Sequence, residues 1–524
     1  MLPSQSILLT LLPVMYIGQS FFFTSNYEAY KNINPRRAEG TCGWVLNHRK
    51  FREWKANNHS NLLWLSAGPG CGKSVLSRAL IDDVLVQDTS ATICYFFFKD
   101  NEEQNSGATA ICALLHQIFC AKIYLFQKHA QRVIYQEAEW LKRNFESLWK
   151  LLHTVALDPS SGDIICVIDA LDECRQPDRN RLIEELERAY QISRERPNGE
   201  FKIKFLVTSR PYGDIERRFG KMTRQCPSIH LSGEGEWSFI SREIDMVMNA
   251  RVDEIVFERD LADCIGDALK HRLSEVQNRT YLWLHLTLDF LRDFHGHTKA
   301  KLLRGIDKLP DSVDHAYEKI LHRCNSRYQG EGKRLLEIIV AAHRPLTISE
   351  IDVALEIHPS SRRLDELDLE GPTKRKQWIH DACGLFVSIV DSRVYLIHQT
   401  AREFLLQQGP ETAVAGTWRR SIDLQAAHLS FAKLCISYLL FEDFWTNHQP
   451  DPPQSIPEEG FLEYSAAYWI YHVKQGHNMD NELIQNVVKL CELEPDSAYC
   501  IHYRTDHWYW SMRQTLQLLD RRLY

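Results

Sequence analysis

No Cys-x-x-Cys pair occurs in the 524 residues, although 14 cysteines are scattered along them. Zinc-ribbon and thioredoxin-type readings therefore lose their ligands. In so long a chain, single cysteines do not make a disulfide scaffold either. The thiols are expected to be reduced and mostly buried, which points to a cytoplasmic location. Basic residues are also missing at the start: no Lys or Arg precedes Lys31. The apolar stretch "LPSQSILLTLLPVMYIGQSFFF" thus lacks the basic region of a signal peptide. Pro3, Pro13 and several polar residues interrupt the run a membrane helix needs. A poorly ordered leader is expected over residues 1–26, with membrane or secretory targeting as the alternative. There is no internal repeat. A formal net charge of −7 gives no general attraction to nucleic acid or anionic lipid.

What is present is enough apolar and aromatic material for several cores, since a chain of this length exceeds one domain. Short runs rich in β-branched and aromatic residues recur at 61–67, 91–98, 163–170, 201–210 and 228–233. Longer helical patterns lie between them, at 73–87, 106–122, 139–156 and 178–194. Strands apolar on both faces and alternating with helices predict a parallel sheet. From about 236 to 344 the pattern is helical. Thr347 and Glu350 then form a capping box. A helix near 374–383 and two short strands, "LFVSIVD" and "RVYLIHQ", joined at Asp391 and Ser392, complete a winged-helix pattern. The expected divisions are a linker over 27–60, a P-loop domain over 61–235, a helical domain over 236–340, a winged helix over 341–410 and a helical segment over 411–524.

Residues 65–76, "LSAGPGCGKSVL", follow a strand and open a helix, the context of a phosphate-binding loop. Its members are Ala67, Gly68, Pro69, Gly70, Cys71, Gly72, Lys73, Ser74 and Val75. Backbone N–H groups and the helix N-terminus suit an anion. Lys73 suits the β- and γ-phosphates, and the Ser74 hydroxyl suits Mg²⁺. Ala67 stands where the usual pattern has Gly, which is tolerable if its φ is negative. Cys71 is expected to be packed; the alternative is a thiol made acidic by Lys73 and the helix terminus. The plain alternative for the whole stretch is an incidental Gly-rich turn.

The run "IICVIDALDEC" brings Asp169 to a strand end, where ligands sit in such sheets. Asp169 is expected in the Mg²⁺ shell. Glu173 is the first choice of base for water attack, and Asp172 a second metal-shell carboxylate or alternative base. An N-cap cluster is the bland alternative. In "FLVTSRP", Arg210 ends another strand and either senses the γ-phosphate or closes the strand at the surface. His398 reads as part of the last winged-helix strand, ordinarily a core residue. Lys374, Arg375 and Lys376 make a short basic run that is ordinarily a solvated face, so no nucleic acid is expected.

Taken in order, "LLWLSAGPGCGKSVLSRALID", "VIDALDECR", "FLVTSRPY", "LPDSVDHAYEKIL" and "IHQTAREFL" resemble the fungal NACHT NTPases, whose NTPase part is described as nephrocystin-like. They belong to the signal-transducing ATPases that include NOD-like receptors. The stretch "YEAYKNINPRRAEGTCGWVLNHRKFREWK" resembles the linker before their core. The resemblance covers roughly 27–408. It implies an α/β P-loop NTPase with sheet order 5-1-4-3-2, followed by helical lid, winged-helix and C-terminal helical parts. It implies ATP or ADP (GTP as the alternative) with Mg²⁺, and slow hydrolysis that serves a switch. It also implies self-association on activation and a role in fungal non-self recognition, a form of innate immunity. It places His398 on the β-phosphate of ADP in a closed form, and adenine beside residues 40–44. Relatives usually carry an effector domain and repeats, so a truncated member without its sensor is expected. Effector and sensor partners stay open, and no membrane partner is expected. The competing readings are a non-hydrolysing nucleotide-binding scaffold, a P-loop kinase or transferase, and a DNA-binding winged helix.

Overall fold

The structure, a computed structural model, describes residues 21–492 except 57–60, 88–90, 196–202, 224–227, 232–233, 277–278, 293–309, 311, 326–329, 407–417, 445–460 and 477–478. Most of the apolar leader, the Pro-rich stretch at 447–460 and the C-terminal residues from 493 lie outside the described residues. The chain divides into two compact units, Met1–Asp311 and Ser312–Tyr524.

The first unit is built on five strands: β1 (Asn61–Ala67), β2 (Thr92–Phe97), β3 (Ile164–Asp169), β4 (Ile203–Ser209) and β5 (Ser228–Leu231). All four ladders are parallel and the order is β2-β3-β4-β1-β5. This is the expected order 5-1-4-3-2 read from the other edge. The strands are parallel because each connection carries helix that must cover a sheet face. Every residue of β3 is buried, as an unbroken "IICVID" requires. On one face, Leu62, Trp64, Phe96, Cys166, Ile168, Phe205 and Val207 pack into a single core with helix Gly107–Ala121 and helix Phe145–Ala156. Phe21 and Phe22, within the stretch read as leader, are buried in that core. The helix read as continuous over 139–156 is broken. Asn144 leaves helical geometry and its side chain accepts the Ser147 N–H, starting a new helix at Phe145. Long helix Glu234–Glu258, then helices Asp263–Glu275 and Tyr281–Arg292, follow the sheet.

The second unit begins with helix Val313–Asn325 and helix Glu331–Ala341. The Thr347–Glu350 capping box is present: Glu350 N–H donates to the Thr347 hydroxyl at 3.1 Å, and Thr347 N–H to the Glu350 carboxylate at 2.8 Å. Helix Ile348–Glu356, helix Pro372–Cys383 and the antiparallel pair β6 (Val387–Val390) and β7 (Arg393–Leu396) form the winged helix. Asp391 and Ser392 join the strands at φ of 48° and 61°, the left-handed pair of a two-residue hairpin turn. Tyr317 packs edge-on against Phe386, 4.9 Å between ring centres, so helix Val313–Asn325 shares this core. Arg375 departs from the solvated face read in the sequence. It is buried and paired at 2.8 Å with both Asp352 and Glu356. Helices Leu424–Leu439 and Leu462–Gly476 pack on each other behind it. Among the described residues, no single helix is long and apolar enough to cross a membrane.

Candidate functional site

The end of β1 sets the site. Ala67 is its last residue, fully buried and outside the left-handed region, so the missing methyl of glycine is not needed there. Gly70 and Gly72 do need it, with φ of 72° and 79°. Gly72 caps helix Lys73–Ala79, which continues as a wider turn over Leu80–Leu85. The Lys73 ammonium folds back over its own loop, donating to the Ala67 and Gly68 carbonyls at 2.8 Å each. Burial pushes its pKa down, and Asp172 is the strongest charge opposing that. The Cys71 thiol is buried, and burial drives its pKa up against a smaller influence of Lys73. The acidic-thiol alternative is thereby corrected: desolvation outweighs the neighbouring cation.

Strand order brings the carboxylate in. β4 lies between β1 and β3, so the C-terminal ends of all three meet. Asp169 has no solvent exposure. Its Oδ2 accepts the Ser74 hydroxyl at 2.6 Å. Its Oδ1 accepts the Ser77 hydroxyl at 2.6 Å and the Thr208 hydroxyl at 2.7 Å. Three hydroxyls from two elements therefore hold one buried carboxylate, which removes the cost of leaving it unpaired. Ser77 was not singled out in the sequence; its spacing of three from Ser74, which puts both on one helix face, was the available signal. Thr208 was seen only as a strand end.

Beyond Asp169 the chain turns through Ala170, at φ 54°, a conformation L-residues adopt at a cost. The Ala170 N–H donates to Thr208 Oγ1 at 3.0 Å and the Glu173 N–H to the Ala170 carbonyl at 2.8 Å, which closes a tight turn. Asp172 then faces β4. It accepts the Arg210 backbone N–H at 2.9 Å on Oδ1, while Arg210 Nε lies 3.2 Å from Oδ2. Both side chains are almost fully buried. Arg210 also donates to the Tyr212 hydroxyl at 3.0 Å, so it is no surface strand closure. Glu173 Oε2 is buried without a hydrogen-bond partner among the described residues. Burial raises its pKa to about 7; Asp172 and Asp100 push the same way, while Lys99 and Arg210 oppose. Lys99, at the exit of β2, was not identified from the sequence.

The donor set suits a hard, oxygen-loving cation: one hydroxyl and one carboxylate oxygen adjoin, and further ligands are left to water or phosphate. Among the described residues, no cluster of three or more His, Cys, Asp and Glu makes a metal cage.

His398 lies in the second unit. It is not in the strand but follows it, as the N-cap of helix Gln399–Leu405. Its Nδ1 accepts the Thr400 N–H at 3.2 Å, which leaves the neutral ring's proton on Nε2 and makes that nitrogen a donor. Thr400 Oγ1 is 3.0 Å from the Tyr317 hydroxyl.

Three matches relate the chain to known proteins. The family model described as "Nephrocystin 3, N-terminal" matches residues 40–210, and "GPI inositol-deacylase, winged helix domain" matches 319–416. The "Vegetative incompatibility protein HET-E-1" of Podospora anserina is 26% identical over 455 residues, covering 82% of this chain. Together these matches support a fungal NACHT-type NTPase. Residues 240–302 also match a "Domain of unknown function (DUF7069)". The "Azaphilone pigments biosynthesis cluster protein L" of Monascus ruber is 25% identical over 48% of the chain. The chain spans 32% of the length of the first relative and 56% of the second. The solved Aeropyrum pernix ORC2 protein aligns over 72% of this chain and 95% of its own, at 12% identity and a TM-score of 0.32. A likeness that slight carries no further argument.

Proposed function

We propose that the chain is a nucleotide-dependent signalling switch: it binds ATP or ADP with Mg²⁺ on the Lys73 loop, hydrolyses ATP slowly, and self-associates in one nucleotide state. The observation that carries this is the direct bond between Ser74 of the phosphate loop and Asp169 of β3. It ties the two halves expected of such a site into one cleft, with Lys73, Asp172 and Arg210 in mutual electrostatic range.

In this reading the backbone of residues 67–75 wraps the phosphates, and Lys73 exchanges its two carbonyl partners for phosphate oxygens. Ser74 and Asp169 hold Mg²⁺, whose chemistry is to neutralise phosphate charge. Glu173 has a pKa near the working pH, as an effective general base needs, and takes the proton of an attacking water. Asp172 spends both oxygens on Arg210. It therefore serves as the anchor that aims the guanidinium, in place of the metal-shell or base role the sequence suggested. The Podospora anserina relative, a vegetative incompatibility protein, supports a role in that process.

The test is mass in solution by analytical ultracentrifugation after loading with ADP and after exchange to a non-hydrolysable ATP analogue. A larger species only with the analogue is expected. An unchanged mass, together with no phosphate release from ATP, overturns the switch.

A further inference from the structure

Glu243, on helix Glu234–Glu258 of the first unit, lies outside every motif considered so far. Its carboxylate is buried, 7% exposed, and it joins three separate pieces of chain. Oε2 accepts the Cys42 N–H at 2.8 Å, and Oε1 the Trp44 N–H at 3.4 Å. These amides open the short helix Gly43–Asn47, whose own cap residue, Cys42, sits at φ 67° and supplies no side-chain bond. Glu243 therefore does from 201 residues away what a local cap does elsewhere. The same Oε2 accepts the Tyr281 hydroxyl at 3.1 Å.

Tyr281 in turn touches the phosphate loop. A Cβ built on Gly72 lies 3.2 Å from Tyr281 Cδ2, and one on Gly70 lies 3.0 Å from both Thr280 Oγ1 and Leu282 Cβ. The start of helix Tyr281–Arg292 is thus pressed against the two glycines whose left-handed geometry shapes the loop. A second tie, Arg279 to Asp245 at 2.5 Å, holds this start to the same turn of helix Glu234–Glu258. Met246, one residue further, sits against Gly40, where an added Cβ would meet its Cε at 2.9 Å.

We infer that Glu243 is a positioning residue: through Tyr281 it sets the Gly70–Gly72 backbone, and through the Cys42 and Trp44 amides it makes the linker move with that loop. A buried carboxylate with three donors has few other arrangements of comparable energy, so displacing one donor disturbs the other two. Tightening of the loop on a phosphate group is thereby reported to the linker, and release of the linker loosens the loop. The sense of this coupling rests on the proposed nucleotide site; the mechanical link does not.

The test is hydrogen exchange on the full chain, first without nucleotide. Tyr281→Phe keeps the ring on Gly72 and removes only the hydroxyl, so the fold is retained. It is expected to speed exchange about tenfold in residues 68–74 and also at Cys42 and Trp44, with helix Ile348–Glu356 unchanged. Glu243→Gln is expected to act in the same direction, and the double variant to add little at residues 68–74, because both groups reach the loop through the one Glu243–Tyr281 bond. Additive effects, or no change at residues 68–74 in either variant, overturn the inference. Fluorescently labelled ADP with Mg²⁺ is then added. Wild type is expected to protect 68–74, and both variants to release the ADP about tenfold faster. If the variants loosen loop and linker together but wild type shows no protection by ADP, the nucleotide reading fails and the coupling stands. If ADP protects and leaves both variants at the wild-type rate, the coupling does not govern retention and the inference falls.

Discussion

At the scale of single residues, burial decides the chemistry more than neighbouring charge does. Glu173 and Cys71 both sit near cations, yet each carries a pKa raised by desolvation. For Glu173 the sign is as follows. Its carboxyl titrates near 7 in the folded chain and near ~4.3 unfolded. Between those values the folded state holds a proton the unfolded state has lost, so stability falls as pH rises through that window. Two outcomes are expected. ATP hydrolysis rises with pH with a midpoint near 7, read from a pH–rate profile. Glu173→Gln abolishes the turnover and gives a chain more stable than wild type at pH 8, read from thermal unfolding. A flat profile, or a variant less stable at that pH, contradicts the role. Lys73, Ser74 and Asp169 were legible in the sequence because loop spacing and a strand-end carboxylate are local signatures. Glu243 was not: its partners lie 199 and 201 residues away, and nothing in its own neighbourhood marks it.

At the scale of elements, the sheet was legible because buried parallel strands read as continuous apolar runs, and the winged helix because its capping box and hairpin turn have residue signatures. The break at Asn144 escaped because the apolar pattern persists on both sides of it; only an Asx cap ends the first helix. The turn after β3 was likewise hidden. Ala170 carries no sign that it adopts φ 54°. Ala170→Gly relieves about 1–2 kcal/mol of left-handed strain and restores about 0.4–1 kcal/mol of unfolded-chain entropy. A net gain of up to about 1.6 kcal/mol is expected, seen as a higher urea midpoint at unchanged slope. In the hairpin, replacing Asp391 by Asn and Ser392 by Gly matches the residues such a turn favours, and the same measurement is expected to show a gain of similar size.

At the scale of the whole molecule, acid acts on the second unit through its buried histidines. In the second unit, burial holds His343 and His428 down to about 4 and pushes His472 well below its usual range. His428 Nδ1 lies 3.0 Å from His472 Nδ1, and Tyr464 bonds both His472 and the His343 N–H. Arg344 acts on His343, and Arg402 on His428. Unfolding lets these rings protonate near ~6.5, so the unit loses stability progressively as pH falls from about 6.5 toward 4. Thermal unfolding at pH 7.5 and pH 5 is expected to show a lower midpoint at pH 5 for the transition that removes protection from helix Leu462–Gly476. An equal or higher midpoint contradicts the assignment. The division of the chain after Asp311 was not legible either: the helical pattern runs from 236 to 344 without a composition change, and it is packing, such as that of Tyr317 on Phe386 and Phe404, that assigns helix Val313–Asn325 to the winged helix.

Calorimetric titration with ADP and with ATP in Mg²⁺, on wild type and Lys73→Ala, addresses the site most directly. Removing a charge-assisted phosphate contact from a largely desolvated loop costs about 3 kcal/mol, roughly a hundredfold in affinity. Saturable binding by wild type with at least that loss in Lys73→Ala is the expected result. Equal affinity in the two proteins, or no binding by wild type, contradicts a nucleotide held on the Lys73 loop against Asp169.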